Sequence, residues 1–242
     1  MTFATNAEYA FRHPLIRTVA YESQLRSDRA DLHRRLAAAI EERDGDAGDA
    51  NAASIAQHLD AAGDLQAAYG WHMRGGTWAL YRGVRAARTN WQRASEVADH
   101  LDADDPNRTA MRIAPRMALC VSAFRFSGSV EDLGFDELRE LCTSAGDSIS
   151  LAFGMVGMLT GLIFHSRYRD AARVASECST LLESMADHSL PLSLFAATSN
   201  ALVQAGEMTE GLRLAQRAIE LADGDPAGTA RSSARRWRSP MG

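Results

Sequence analysis

A chain of 242 residues is long enough to bury a real core, and with 46% apolar and 24% charged residues its composition is that of a folded, soluble protein rather than a disordered one. All 26 basic residues are arginine, and a chain without lysine cannot supply a phosphate-binding P-loop, the strand-borne lysine of a protein kinase or a Schiff base. The net charge of −5 is uneven: residues 223–242 carry four arginines against two aspartates, whereas residues 1–222 carry 22 arginines against 29 acids, so the body has no electrostatic reason to bind nucleic acid.

Along the chain the pattern is helical nearly throughout, with a short strand expected at most over residues 4–11. Pro14 suits a first helical position, and Leu15, Ile16, Val19 and Ala20 then mark one face. Leu32, Leu36 and Ile40 recur at four-residue steps. Residues 43–51 are rich in Gly and Asp and read as a loop. From there, helical runs follow one another with breaks at 63–64, 82–83, 104–106, 127–129, 145–147, 166–167, 188–191 and Gly206. Alternation of period two is nowhere convincing. The expected fold class is all-α.

Short breaks between helices imply antiparallel hairpins, and internal repeats are the natural test. Trp71, Gly75, Trp78, Ala87, Trp91 and Ala94 fall in the register of a tetratricopeptide repeat, with Arg74 where a Leu is usual. Small residues at Gly75, Ala87 and Ala94 let two helices approach, and the aromatics fill the grooves between hairpins. The tryptophan spacing predicts that Trp71, Trp78 and Trp91 are largely buried. Weaker copies follow. Tyr168, Ala171, Ala175 and Cys178 repeat the second-helix spacing, and Gly206, Gly211, Ala215 and Ala218 repeat it again after Phe195, Ser199 and Leu202. The expected architecture is therefore a stack of antiparallel helix hairpins, a tetratricopeptide-like solenoid.

Two strings carry a resemblance. YAFRHPLIRTVAYESQLRSDRADLHRRL, beginning at Tyr9, resembles the segment after the nucleotide-binding core of bacterial signalling ATPases of the STAND class, where it closes a winged-helix-like region. IAQHLDAAGDLQAAYGWHMRGG, at 55–76, is similar to the phrase that opens their helical-repeat domain. Actinobacterial members carry class III adenylate/guanylate cyclase domains or LuxR-type helix-turn-helix domains. The resemblance covers roughly residues 3–226. It implies an internal piece of such a regulator, without the P-loop and Walker B motif. The expected division is a helical end of the winged-helix-like segment over 1–46, tetratricopeptide-like repeats over 47–224 and a disordered basic tail over 225–242.

Candidate chemistry is sparse. His13 and His33 belong to the family phrase, but with no phosphate loop for a histidine to sense, local hydrogen bonding that pins the first helices is the simpler role. No two histidines stand four apart with a Glu between them, His72 and His100 have no ligand spacing, and no Cys-x-x-Cys occurs. Cys120, Cys142 and Cys178 are odd in number and scattered, as expected of reduced, buried thiols in a cytoplasmic protein. Cys178 sits at a small-residue repeat position, and no Gly-x-Ser-x-Gly elbow exists for a serine nucleophile. Residues 148–166 lack formal charge and contain Gly154, Gly157 and Gly161. That is just long enough for a membrane span, but a buried inner helix is the expected state. Arg231, Arg235, Arg236, Trp237 and Arg238 make a basic tail of the kind that binds nucleic acid or acidic membrane, although a short disordered end is the commoner outcome.

No residue is therefore assigned a catalytic, cofactor-binding or metal-ligating role, and no cofactor is expected. The resemblance implies a non-catalytic protein-interaction or regulatory module whose partner is a protein or peptide. Neither nucleic acid nor membrane is expected as a partner of the body, and the acidic surface suggests a partner with basic segments. The alternative reading is a fragment of a class III nucleotide cyclase or of an ATP-dependent LuxR-type regulator, working with a separately encoded ATPase or cyclase, or else a decayed gene product.

Overall fold

The computed structural model describes residues 12–44, 49–125, 133–185 and 191–221. Among them every regular element is helical and no strand occurs. The expected strand over 4–11 and the basic tail lie outside the described residues. The helices are α1 (Pro14–Glu22), α2 (Arg26–Asp44), α3 (Ala52–Ala62), α4 (Leu65–Ala79), α5 (Val84–Asp99), α6 (Arg108–Val121), α7 (Phe135–Ala145), α8 (Ser148–Phe164), α9 (Tyr168–Ser184), α10 (Leu192–Gln204) and α11 (Met208–Leu221), with a 3₁₀ turn at Ala123–Arg125 after α6.

Helix ends follow local chemistry. Pro14 is the first residue of α1, and the His13 imidazole accepts from the Leu15 N–H at 3.2 Å. α3 stops at Gly63, whose φ of 82° is left-handed, and the Asp64 N–H closes back on the Leu59 carbonyl. The same device ends α7: Gly146 has φ 68° and the Asp147 N–H returns to Cys142. Asp147 then turns its carboxylate to the Ser150 N–H and starts α8.

Packing is between neighbours in the chain. From α2 to α11 each helix packs on the next, and the further contacts are α6 with α8 and α8 with α10. α8 is the hub, touching α6, α7, α9 and α10. Its glycines set the distances. A Cβ on Gly157 would fall 2.2 Å from the Cys120 carbonyl oxygen, and one on Gly154 would fall 2.4 Å from Leu138 Cδ2. Residues 148–163 therefore belong to an inner helix, with 164–166 exposed at its end, and among the described residues no helix is long and apolar enough to cross a membrane. Leu138, Leu159, Leu162, Leu182, Phe195 and Leu202 fill the surrounding core. At the small-residue positions, Gly75, Ala87, Ala94, Ala171, Ala175, Cys178 and Gly211 are buried, whereas in the last copy Ala215 and Ala218 are half-buried and Gly206 is exposed.

The tryptophans divide differently from expectation. Trp91 is buried, at 3% exposure, against Gly76, where a Cβ would meet its indole Nε1 at 2.2 Å. Trp71 and Trp78 are only half-buried, because each is capped by an arginine rather than by another helix. α1 has no buried residue at all, and Leu15 is 66% exposed. α2 rests on α3 with Ala37 buried, so Leu32 and Leu36 of the four-residue stripe point outward. An ionic clamp centred on a buried arginine ties α5, α6 and α7: Arg116, 6% exposed, donates to the part-exposed Asp99 at 2.7 Å and to the exposed Glu137 at 3.0 Å, while Arg112 holds the other Asp99 oxygen at 2.6 Å.

Candidate interaction groove

α4 and α6 both pack on α5, which lies between them in sequence, and so run in the same direction side by side. Their facing surfaces leave a cavity of about 1160 Å³ that reaches Gln66 and Asn107 at the N-terminal ends of the two helices, where the Gln66 amide donates to Asp105 at 2.7 Å. A second cavity, of about 320 Å³, continues it toward the C-terminal ends of the two helices, reaching Tyr81 and Phe124. Met73, Thr77 and Ala114 line both, which makes them one groove. Its floor is soft and apolar, with Met73, Met111, Met117 and Ala114. Pro115 in α6 has no N–H, so the Met111 carbonyl lacks its usual helical donor.

Aromatic rings and arginines line the walls. Trp71 stands beside Arg74 on α4, just off the cavity wall, and Trp78 stands four residues before Arg82, which lies in the turn after α4. The Arg74 guanidinium lies 4.1 Å from the Trp71 ring centroid, and Arg82 lies 4.7 Å from that of Trp78. The 3₁₀ turn after α6 brings Arg125 over Tyr81 at 4.5 Å and over Phe124 at 5.0 Å. Stacking of this kind holds a guanidinium in place while leaving its N–H edge free to donate. Arg74 also pairs with Asp49 at 2.7 Å, and Arg82 donates to the Trp78 carbonyl at 2.9 Å. Among the described residues neither Arg82 nor Arg125 meets a carboxylate. Burial pushes the Tyr69 phenol up to about 12, so on the same wall it stays a neutral donor.

The residues singled out by sequence lie elsewhere. His13 is spent on its cap. His33 accepts or donates to the Tyr21 hydroxyl at 3.0 Å and meets His58 at 3.0 Å, linking α1, α2 and α3. Partial burial, with His33 alongside, lowers the His58 pKa. His72 is buried, and because the Asn90 amide donates to the Ala86 carbonyl, the Asn90 oxygen is left to accept from His72 Nδ1 at 3.2 Å. The same ring lines a separate polar cavity with Asp60, Thr89 and Arg93. His100 is occupied by the Glu96 carbonyl at 2.7 Å. Burial, with Cys142 nearby, raises the Cys120 thiol to about 12, and burial, with Asp147 nearby, raises Cys142 to about 11. Cys178 is also pushed up by burial, against a hydrogen bond from the Thr198 hydroxyl. Such thiols are poor nucleophiles. Among the described residues no three His, Cys, Asp or Glu side chains gather as a metal site.

Sequence reading did not single out Arg82, Tyr81, Phe124 or Arg125, and it treated Arg74 only as a departure from a repeat pattern. Arg74 faces Trp71 and Asp49 at the groove wall. The sequence matches no family model and no curated protein.

Proposed function

We propose that this chain is a non-catalytic interaction module, a tetratricopeptide-like stack of helix pairs of the kind that regulates STAND-type signalling ATPases, and that it holds a protein or peptide segment in the α4–α6 groove. The groove itself carries this reading. It is enriched in Trp, Tyr, Met and Arg, the residues that dominate binding hot spots, and it lies between helices that are rigidly packed from behind by α5. The packing pattern also supports it. Alternate helices α6, α8 and α10 touch one another, while α7, α9 and α11 each sit against the helix before them, as pairs stacked in an array do. The arginines offer directional donors to a ligand.

Two measurements on the full chain test the reading. Calorimetry with ATP and magnesium gives no saturable heat, since the chain has neither lysine nor a Gly-rich phosphate loop. Panning a random peptide library yields saturable binders, and Ala114→Trp, which fills the groove, abolishes their binding while leaving the helical circular dichroism intact. Micromolar ATP binding, or a library from which nothing binds saturably, overturns it.

A further inference from the structure

We infer that the occupant of the α4–α6 groove is an acidic segment that also carries large apolar side chains. This rests on the groove being the binding surface and adds the chemistry of the partner.

The charge on the groove opposes that of the body. Residues 1–222 sum to −7, yet the groove shows three arginines against the single carboxylate of Asp49, and that carboxylate is already taken by Arg74. Arg82 and Arg125 remain, just beyond the C-terminal ends of α4 and α6, each stacked on a ring; one Arg82 N–H is taken by the Trp78 carbonyl, and neither guanidinium meets a carboxylate among the described residues. A fork of planar N–H donors, fixed in advance by stacking, suits a carboxylate in two-point contact and costs little further side-chain entropy on binding. Between and beside these arginines the floor is methionine, alanine and half-buried indole, which rewards apolar side chains and offers nothing to a string of phosphates. The 15 residues of α4 make a wall of about 22 Å at 1.5 Å per residue. An extended segment spans that in about seven residues. Alternating acidic and apolar positions would place carboxylates at the arginines and side chains on the floor.

Other occupants fit less well. The chain's own arginine-rich end, Arg231 to Arg238, has the same sign as the groove. Nucleic acid has the right sign, but its phosphates would face an apolar floor and an acidic body.

The test is the composition of peptides selected from a random 12-residue library on the full chain, followed by fluorescence titration of the chosen peptides. Enrichment of Asp and Glu together with Phe, Leu, Trp or Met is expected. Binding should weaken roughly tenfold for Arg82→Ala and again for Arg125→Ala, and should weaken with salt. The double variant R82E/R125E should prefer basic peptides. Arg82 is exposed and Arg125 half-buried, so circular dichroism of each variant checks that the fold is kept. Selected peptides that are neutral or basic overturn the acidic assignment but leave the binding module standing. Acidic peptides indifferent to both arginine substitutions overturn the site. A single-stranded oligonucleotide that competes at lower concentration than the peptide overturns the partner class. An empty selection overturns the module reading itself, and this inference with it.

Discussion

Gly157→Ala adds one methyl group where α8 meets the backbone at the end of α6. The new Cβ would sit 2.2 Å from the Cys120 carbonyl oxygen, 2.4 Å from its carbon and 2.6 Å from Val121 Cα, against an ordinary contact of 3.4 Å or more. The shortfall is about 1.2 Å, and every atom met is backbone, so no side chain can swing aside. α8 must move away from α6 by most of that distance. A gap of 0.5–1 Å already forfeits about a quarter to a half of each dispersion contact along the interface. Overpacking costs about 1–3 kcal/mol in ordinary cores and more where the backbone must move, and the better helix propensity of alanine returns at most about 1 kcal/mol. A net loss of about 2–3 kcal/mol is expected, read as a lowered urea midpoint by circular dichroism at 222 nm. Gly70→Ala in α4 is the control. Its Cβ would meet nothing within 4 Å, so it keeps the propensity gain and should stabilise by up to about 1 kcal/mol. The reasoning fails if Gly157→Ala is neutral or stabilising, or if the two variants shift the midpoint in the same direction.

Trp91→Ala should cost about 3–5 kcal/mol, because the indole is enclosed against Gly76. Trp71→Ala and Trp78→Ala should each cost under about 2 kcal/mol, and Trp78→Ala, whose indole lines the groove, should also weaken groove binding; equal losses for all three in thermal melts would refute that division. Partial burial alone would raise the Asp99 carboxyl, but the hydrogen bonds from Arg112 and Arg116 outweigh it and hold the group below its ordinary value. Its contribution to stability is therefore full above the usual carboxylate range and disappears as pH falls through the folded-state value. Asp99→Asn should flatten the acid limb of a stability–pH curve, and an unchanged acid limb would exclude the clamp as its source. The three raised thiols should resist iodoacetamide at pH 8 in the native chain and react on unfolding; rapid native labelling followed by mass spectrometry would show that they are accessible.

The helix breaks were legible because they depend on local chemistry. Gly63-Asp64 and Gly146-Asp147 specify a left-handed closure followed by a fresh start, whatever surrounds them. The small residues at Gly75, Ala87, Ala171 and Ala175 were legible for a similar reason, since close approach demands them at fixed spacing. Tryptophan burial was not. The spacing put Trp71 and Trp78 on one face, but whether another helix or an arginine covers that face depends on where α6 lies. The groove was harder still, because Tyr81 meets Arg125 across 44 residues of chain, through a 3₁₀ turn with no sequence signature. Overall charge alone suggests a basic partner, but a net total says nothing about which surface collects the positive residues, and Arg74, Arg82 and Arg125 line the groove cavities.

Contacts confined to near neighbours also govern how the chain comes apart. Little sequence separates the helices that touch, so each docking step closes only a short loop, and assembly should be fast for a protein of this length. Opening then proceeds from the periphery. α1, with nothing buried, can undock at almost no free-energy cost, whereas α8 is released only when four other helices let go. Amide protons should therefore exchange in a graded order, quickest in α1 and slowest in α8. The α4–α6 groove lies between these extremes, stable enough to keep its shape and near enough to the loose end to breathe.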